Sequence, residues 1–260
     1  MYKRQVGIGA AGLVDLSGIL RFAPNLPTVV DLDLAAALAA RRPTPIVIDN
    51  DANCATYAEQ RLGAAAGTAN MVLVTLGTGI GAGVIIDGVL CRGTAGFGGE
   101  PGHMVVDPTG PPCPCGRNGC WERFASGSGL GRLARDAAEA GQAERVVALA
   151  GGDPELVRGE HVTIAALEGD PDALEVLRQF AWWVALGIAN LVNVLDVEPA
   201  VIGGGLVAVG DALLVPTREA FRGLVLAADH RPPVRIEAAT LGQEAGAIGA
   251  GLLAADLSRS

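Results

Sequence analysis

The chain has 260 residues, half of them hydrophobic and 18% charged, with a formal net charge of −9. That length holds one large domain or two moderate ones, and the composition calls for a substantial core, which excludes a disordered chain. The acid excess speaks against a nucleic-acid surface, and five cysteines, three of them clustered, fit a reducing compartment such as the cytoplasm.

In chain order, Val6 to Ile8 starts a strand, alanine-rich Leu34 to Ala40 predicts a helix, and Pro45 to Ile48 is a short apolar strand bounded by turn residues. Ala52 to Leu62 is a helix, which completes the alternation of an α/β layer. Met71–Thr75, Gly83–Asp87 and Gly88–Leu90 read as antiparallel strands, the last two joined by the hairpin signal Asp87-Gly88. Helices dominate from Gly127 to Asp196. Within them Phe180 to Val197 is strongly apolar, yet Asn190, Asn193 and Asp196 recur on one helical face, which fits a buried amphipathic helix and no membrane span. Ala200 to Ile202 is a buried strand, and Gly246 to Ala255 is a small-residue helix that closes the chain. Cys54 and Cys91 read as small buried hydrophobes, and His161 and His230 as surface residues.

Three features carry chemistry. His103, Cys113, Cys115 and Cys120 follow one another with nine, one and four residues between them. An imidazole and three thiolates are the ligand set of a closed tetrahedral zinc site, and the intervening Pro and Gly allow the turns that aim three sulfurs at one point. Gly77-Thr78-Gly79 and Gly203-Gly204-Gly205 each follow a strand, where bare backbone N–H groups can approach phosphate oxygens. Neither is a P-loop, and each by itself is equally common structural punctuation. Asp49-Asn50-Asp51-Ala52-Asn53 leaves the end of a strand, where carboxylates and amides reach a polar ligand; a helix N-cap explains one of these residues, not four. Glu100 and Glu122 add acceptors beside the metal segment.

Asn50-Asp51-Ala52-Asn53, Gly77-Thr78-Gly79-Ile80-Gly81, Gly96-Phe-Gly-Gly-Glu100-Pro-Gly-His103 and Cys113-Pro-Cys-Gly-Arg-Asn-Gly-Cys120-Trp-Glu122 resemble, in order and over nearly the whole chain, the ROK family of repressors, open reading frames and kinases. The resemblance implies an actin-like (ribonuclease H-like) two-lobed ATPase fold that phosphorylates a hexose or N-acetylhexosamine with ATP and Mg²⁺, and it is nearest to bacterial glucokinases. It implies Asp51 as general base and Gly9, Asn25, Asn50, Asp51, Glu100, His103 and Glu122 as sugar-binding residues. Gly77, Thr78 and Gly79 would hold phosphate, Gly203, Gly204 and Gly205 the adenosine side, and His103, Cys113, Cys115 and Cys120 a structural Zn²⁺. The implied lobes are 1–61 with 245–260, and 62–244, and the implied assembly is a homodimer.

Two departures accompany the resemblance. Ala11 stands where the family usually has proline, in Gly9-Ala10-Ala11-Gly12. The family's opening Asp-x-Gly-Gly-Thr loop, which contacts ATP phosphates, is absent from the sequence, so the first lobe is expected to lack its opening strands and to handle ATP less well. The competing readings are the body of a sugar-responsive repressor and a zinc-stabilised sugar-binding remnant. An intact general base favours the kinase, because a pure sensor has no use for one.

Overall fold

The structure, a computed structural model, describes residues 5–23, 28–41 and 44–256. The strands in chain order are β1 (Val6–Ala10), β2 (Leu13–Val14), β3 (Ile19–Phe22), β4 (Val30–Asp33), β5 (Ile46–Asn50), β6 (Met71–Leu76), β7 (Ile80–Ile86), β8 (Val89–Leu90), β9 (Ala200–Gly203) and β10 (Ile236–Ala238). The α-helices are α1 (Leu34–Ala39), α2 (Asp51–Leu62), α3 (Glu122–Ala125), α4 (Gly127–Glu139), α5 (Glu144–Leu149), α6 (Gly159–Leu167), α7 (Pro171–Leu195), α8 (Asp211–Leu224) and α9 (Ala245–Asp256). The strands form a parallel pair β1-β5, an antiparallel ribbon β2-β3-β4, and a five-stranded sheet in the order β10-β9-β6-β7-β8. No helix among the described residues is long and apolar enough to cross a membrane.

One compact unit comprises Met1–Val74, Ala82–Glu100 and Ala239–Ser260. Here β5 outruns the expected strand: parallel pairing sets Gly9 opposite Asp49 and Ala10 opposite Asn50, so the first two polar residues belong to the strand itself. Period-two alternation turns Val47 toward a cluster of Cys54, Tyr57, Ala250 and Leu253, and Ile48 toward Val14, Leu20 and Ala23. The helices α2 and α9 supply the first cluster, and Arg61 ties them further by donating to Asp256 at 3.1 Å. The ribbon β2-β3-β4 has no counterpart among the expected elements; its strands have two to four residues, too short for an alternation to register. Asp87 (φ 51°) and Gly88 (φ 77°) make the expected turn, and β7 and β8 pair antiparallel across it.

Glu59 of α2 is fully buried, and its carboxylate oxygens accept from Ala64 N–H at 2.8 Å, Thr240 N–H at 3.0 Å and Leu241 N–H at 2.8 Å. It thereby pins the segment after α2 and the approach to α9 to one helix. Glu59→Ala removes the acceptor from three backbone donors and leaves a gap where a fully buried side chain stood, and about 3 kcal/mol of stability is expected to go, read by chemical denaturation.

The other unit comprises Thr75–Gly81 and Pro101–Ala238. Asp170 caps α7 by accepting from Ala173 N–H at 2.8 Å, with Pro171 in the first turn. The 25-residue helix buries Val176, Leu177, Phe180, Val184, Ile188 and Val192 and ends where Asp196 turns left-handed at φ 49°. The expected amphipathic pattern holds: Asn193 and Asp196 are exposed, Asn190 partly so. His161 is more than a surface residue, since its Nδ1 accepts the Arg158 N–H at 3.1 Å at the start of α6.

Trp121 is fully buried in this unit and donates its indole N–H to the Trp183 carbonyl at 2.7 Å. Gly187 of α7 leaves room for the ring, since a Cβ there would stand 1.9 Å from Trp121 Cε2. Gly187→Ala is therefore expected to destabilise the fold by about 1–3 kcal/mol, measured as a lowered thermal midpoint, despite alanine's better helix propensity.

Candidate active site and metal centre

In the first unit the polar run at the β5–α2 junction divides its work. Asn50, in extended conformation, caps α2: its Oδ1 accepts from Ala52 N–H at 2.8 Å and Asn53 N–H at 3.1 Å, while its Nδ2 donates to the Gly12 carbonyl at 3.1 Å. Asp49 is 6% exposed, and Arg92 Nε donates to its Oδ2 at 2.7 Å. Asp49 Oδ1 accepts from Asn50 N–H at 2.8 Å and Asn53 Nδ2 at 3.0 Å. Asp51, first residue of the helix, is exposed. Its backbone neighbours only partly solvate it: desolvation by the surrounding protein raises its pKa, against the Ala52 N–H and its own N–H, which lower it. Of the three consecutive polar residues, one caps, one is ion-paired, and Asp51 presents a carboxylate whose proton affinity is increased.

Gly9 lies beside this junction, where a Cβ would come within 3.3 Å of Asp51 Cα. Glu100 ends the loop that follows β8 in the same unit. Asn25 lies outside the described residues. The sequence reading missed Arg92; its signal is a cation in a glycine-rich loop of an acidic chain, which points at no partner until the fold supplies Asp49.

In the second unit the ligand atoms of His103, Cys113, Cys115 and Cys120 all lie within 4.8 Å of one another. Short backbone bridges, Val105 with Cys120 and Pro112 with Asn118, bring the segment back on itself. Cys113 Sγ stands 3.8 Å from His103 Nδ1, and the Cys115 and Cys120 sulfurs are 3.5 Å apart. Thiolates on a tetrahedral zinc are separated by roughly 3.8 Å, so donor set and spacing fit that ion. Burial drives the Cys113 thiol up to about 12. At Cys115 desolvation raises the pKa, but the Arg117 N–H and the neighbouring thiols outweigh it and bring it to about 6. Cys54 is buried as expected, whereas Cys91 is only partly covered.

Glu122 joins this cluster to a glycine loop. Cys113 Sγ donates to Glu122 Oε1 at 3.2 Å, and Glu122 Oε2 lies 2.9 Å from where a Cβ on Gly79 would sit. The loop Gly77-Thr78-Gly79 is held from its far side by the start of α4: Gly127 N–H donates to the Gly77 carbonyl at 2.7 Å and Ser128 Oγ to the Thr78 carbonyl at 2.9 Å. Gly203 ends β9, and Gly204 (φ 87°) turns the chain into a 3-10 helix at Gly205–Val209.

The ROK family model matches residues 2–257. The glucokinase of Streptomyces coelicolor is 40% identical over 257 residues, 98% of this chain and 80% of that one. A crystal structure of a ROK family glucokinase from Streptomyces griseus in complex with glucose and AMPPNP superposes with a TM-score of 0.88 at 39% identity, covering 96% of this chain and 81% of that one. The xylose repressor of Bacillus subtilis is 32% identical over 202 residues, 78% of this chain but 48% of the repressor.

Proposed function

The chain belongs to the ROK family, whose glucokinases have the actin-like ATPase fold, and we propose that it is an ATP-dependent hexose kinase with glucose as the favoured acceptor. The observation that carries this reading is Asp51: among Asp49, Asn50 and Asp51 it alone is exposed, and its raised pKa suits a proton acceptor. A sugar hydroxyl is a poor nucleophile at neutral pH. Asp51 takes its proton as the new P–O bond forms, and Gly9, Asn50, Glu100, His103 and Glu122 hold the remaining hydroxyls with fixed donors and acceptors.

ATP enters as its Mg²⁺ complex, with Gly77, Thr78 and Gly79 on the phosphate side and Gly203, Gly204 and Gly205 on the adenosine side. Phosphoryl transfer depends on alignment and on neutralising phosphate charge, which N–H-rich loops supply. His103, Cys113, Cys115 and Cys120 would hold Zn²⁺; four protein ligands leave no open position, so the ion supplies rigidity and no activated water. Its service is to fix His103 and Glu122. Gly79→Ala pushes a methyl group at the Glu122 carboxylate, and a rise of roughly tenfold or more in the KM for ATP or sugar is expected in steady-state assays.

The test is hexose-dependent ADP release by the purified chain with Mg-ATP across glucose, mannose, fructose and N-acetylhexosamines. Release with glucose above the others supports the reading. Tight hexose binding without release would favour the second reading, a repressor body, which the 32% identity to the xylose repressor supports.

A further inference from the structure

Arg92 pairs with Asp49, and the pair links two parts of the first unit that the kinase reading needs in register. Its Nε donates to Asp49 Oδ2 at 2.7 Å, with side-chain exposures of 33% and 8% respectively. Asp49 is the strand residue that immediately precedes Asn50 and Asp51, and its other oxygen accepts from Asn53, 1% exposed, on the first turn of α2. On the other side, the Arg92 carbonyl accepts the Gly98 N–H at 2.9 Å, which closes the loop running to Glu100. The same loop packs on the helix: a Cβ on Gly99 would stand 3.7 Å from Asn53 Oδ1.

We infer that Arg92 is a positioning residue for phosphoryl transfer, clamping Asp49 so that the strand end bearing Asp51 and the loop bearing Glu100 hold a fixed separation. The inference rests on the kinase reading. A base and a hydroxyl acceptor that address the same sugar must agree in spacing, and a misplacement of about 1 Å costs about 10²-fold in rate. A charge pair with a single N–H···O contact between two chain segments far apart in sequence sets that spacing directly. Backbone pairing alone does not, since β5 is paired with β1 and the loop lies beyond β8.

A purely structural ion pair would predict a different pattern of variants. Arg92→Gln leaves the Asp49 carboxylate uncompensated, so both stability and turnover fall. Asp49→Asn with Arg92→Gln removes both charges, and removing both partners of a covered pair restores much of the stability lost by removing one. The expected result is a thermal midpoint of the double variant closer to wild type than that of Arg92→Gln, while kcat/KM for glucose stays about 10–100-fold down and the KM for ATP stays within about twofold. Arg92→Lys keeps the charge without the planar guanidinium's fixed Nε–H direction and recovers part of the loss. Recovery of kcat/KM in step with the midpoint in the double variant, or near wild-type turnover of Arg92→Gln, would overturn the inference. Absence of ADP release from the unmodified chain would instead overturn the kinase reading, and the inference with it.

Discussion

Asp51→Asn is expected to lower kcat by about 10²–10⁴-fold while sugar affinity, measured by calorimetry, changes little. The amide keeps the size of the side chain and can still accept the Ala52 N–H that Asp51 Oδ1 accepts at 2.9 Å, so the first turn of α2 is preserved. What it cannot do is take a proton from a hydroxyl. The helix itself survives because Asn50, not Asp51, caps it. The pH profile gives an independent readout. A base must be deprotonated to act, and the pKa of Asp51 is raised, so activity falls on acidification at a higher pH than an ordinary aspartate would give, one with a pKa of about 3.9. An acid limb that persists unchanged in Asp51→Asn would assign the titration to another group.

Cys115→Ala is expected to abolish stoichiometric zinc, read by metal analysis of the purified protein. Two thiols and an imidazole remain, and the closed four-ligand shell is lost. The consequence is expected first at the sugar and only later at ATP. Glu122 contacts Cys113, and Trp121, between Cys120 and Glu122, anchors the segment in the core of the second unit. Sugar KM should therefore rise about tenfold or more, a loss of at least 1.4 kcal/mol of binding. Retention of one zinc per chain in this variant would contradict the ligand assignment.

Much of this was legible in the residues because local chemistry determined it. The Asp87-Gly88 hairpin, the αβ alternation around β5 and the small-residue helix α9 each have a local cause, positive φ, apolar runs or closely packed alanine and glycine. The gathering of His103, Cys113, Cys115 and Cys120 was equally open to reading, since three cysteines and a histidine in a turn-rich segment make a natural ligand set. What escaped depends on contacts distant in sequence. The β2-β3-β4 ribbon is built of strands too short to carry a period. Helix α8 contains Pro216, a residue that argues against a helix interior, and was not anticipated. Nothing local in the sequence marks Glu59, whose partners Thr240 and Leu241 come to it from 181 and 182 residues away. Arg92 meets Asp49 across 43 residues, and no spacing rule spans that distance. Asn50 stood out both as a ligand residue and as a possible cap; the geometry shows the cap, with one amide hydrogen bond to Gly12, and the ligand role belongs to the proposed function.

The most direct measurement compares zinc-loaded wild type and Asp51→Asn side by side, with glucose binding and glucose-dependent ADP release recorded on the same samples. The account predicts that both proteins bind glucose with similar affinity and that only the wild type releases ADP. A wild type that binds glucose and releases nothing, or an Asp51→Asn protein that turns over at close to the wild-type rate, would contradict it.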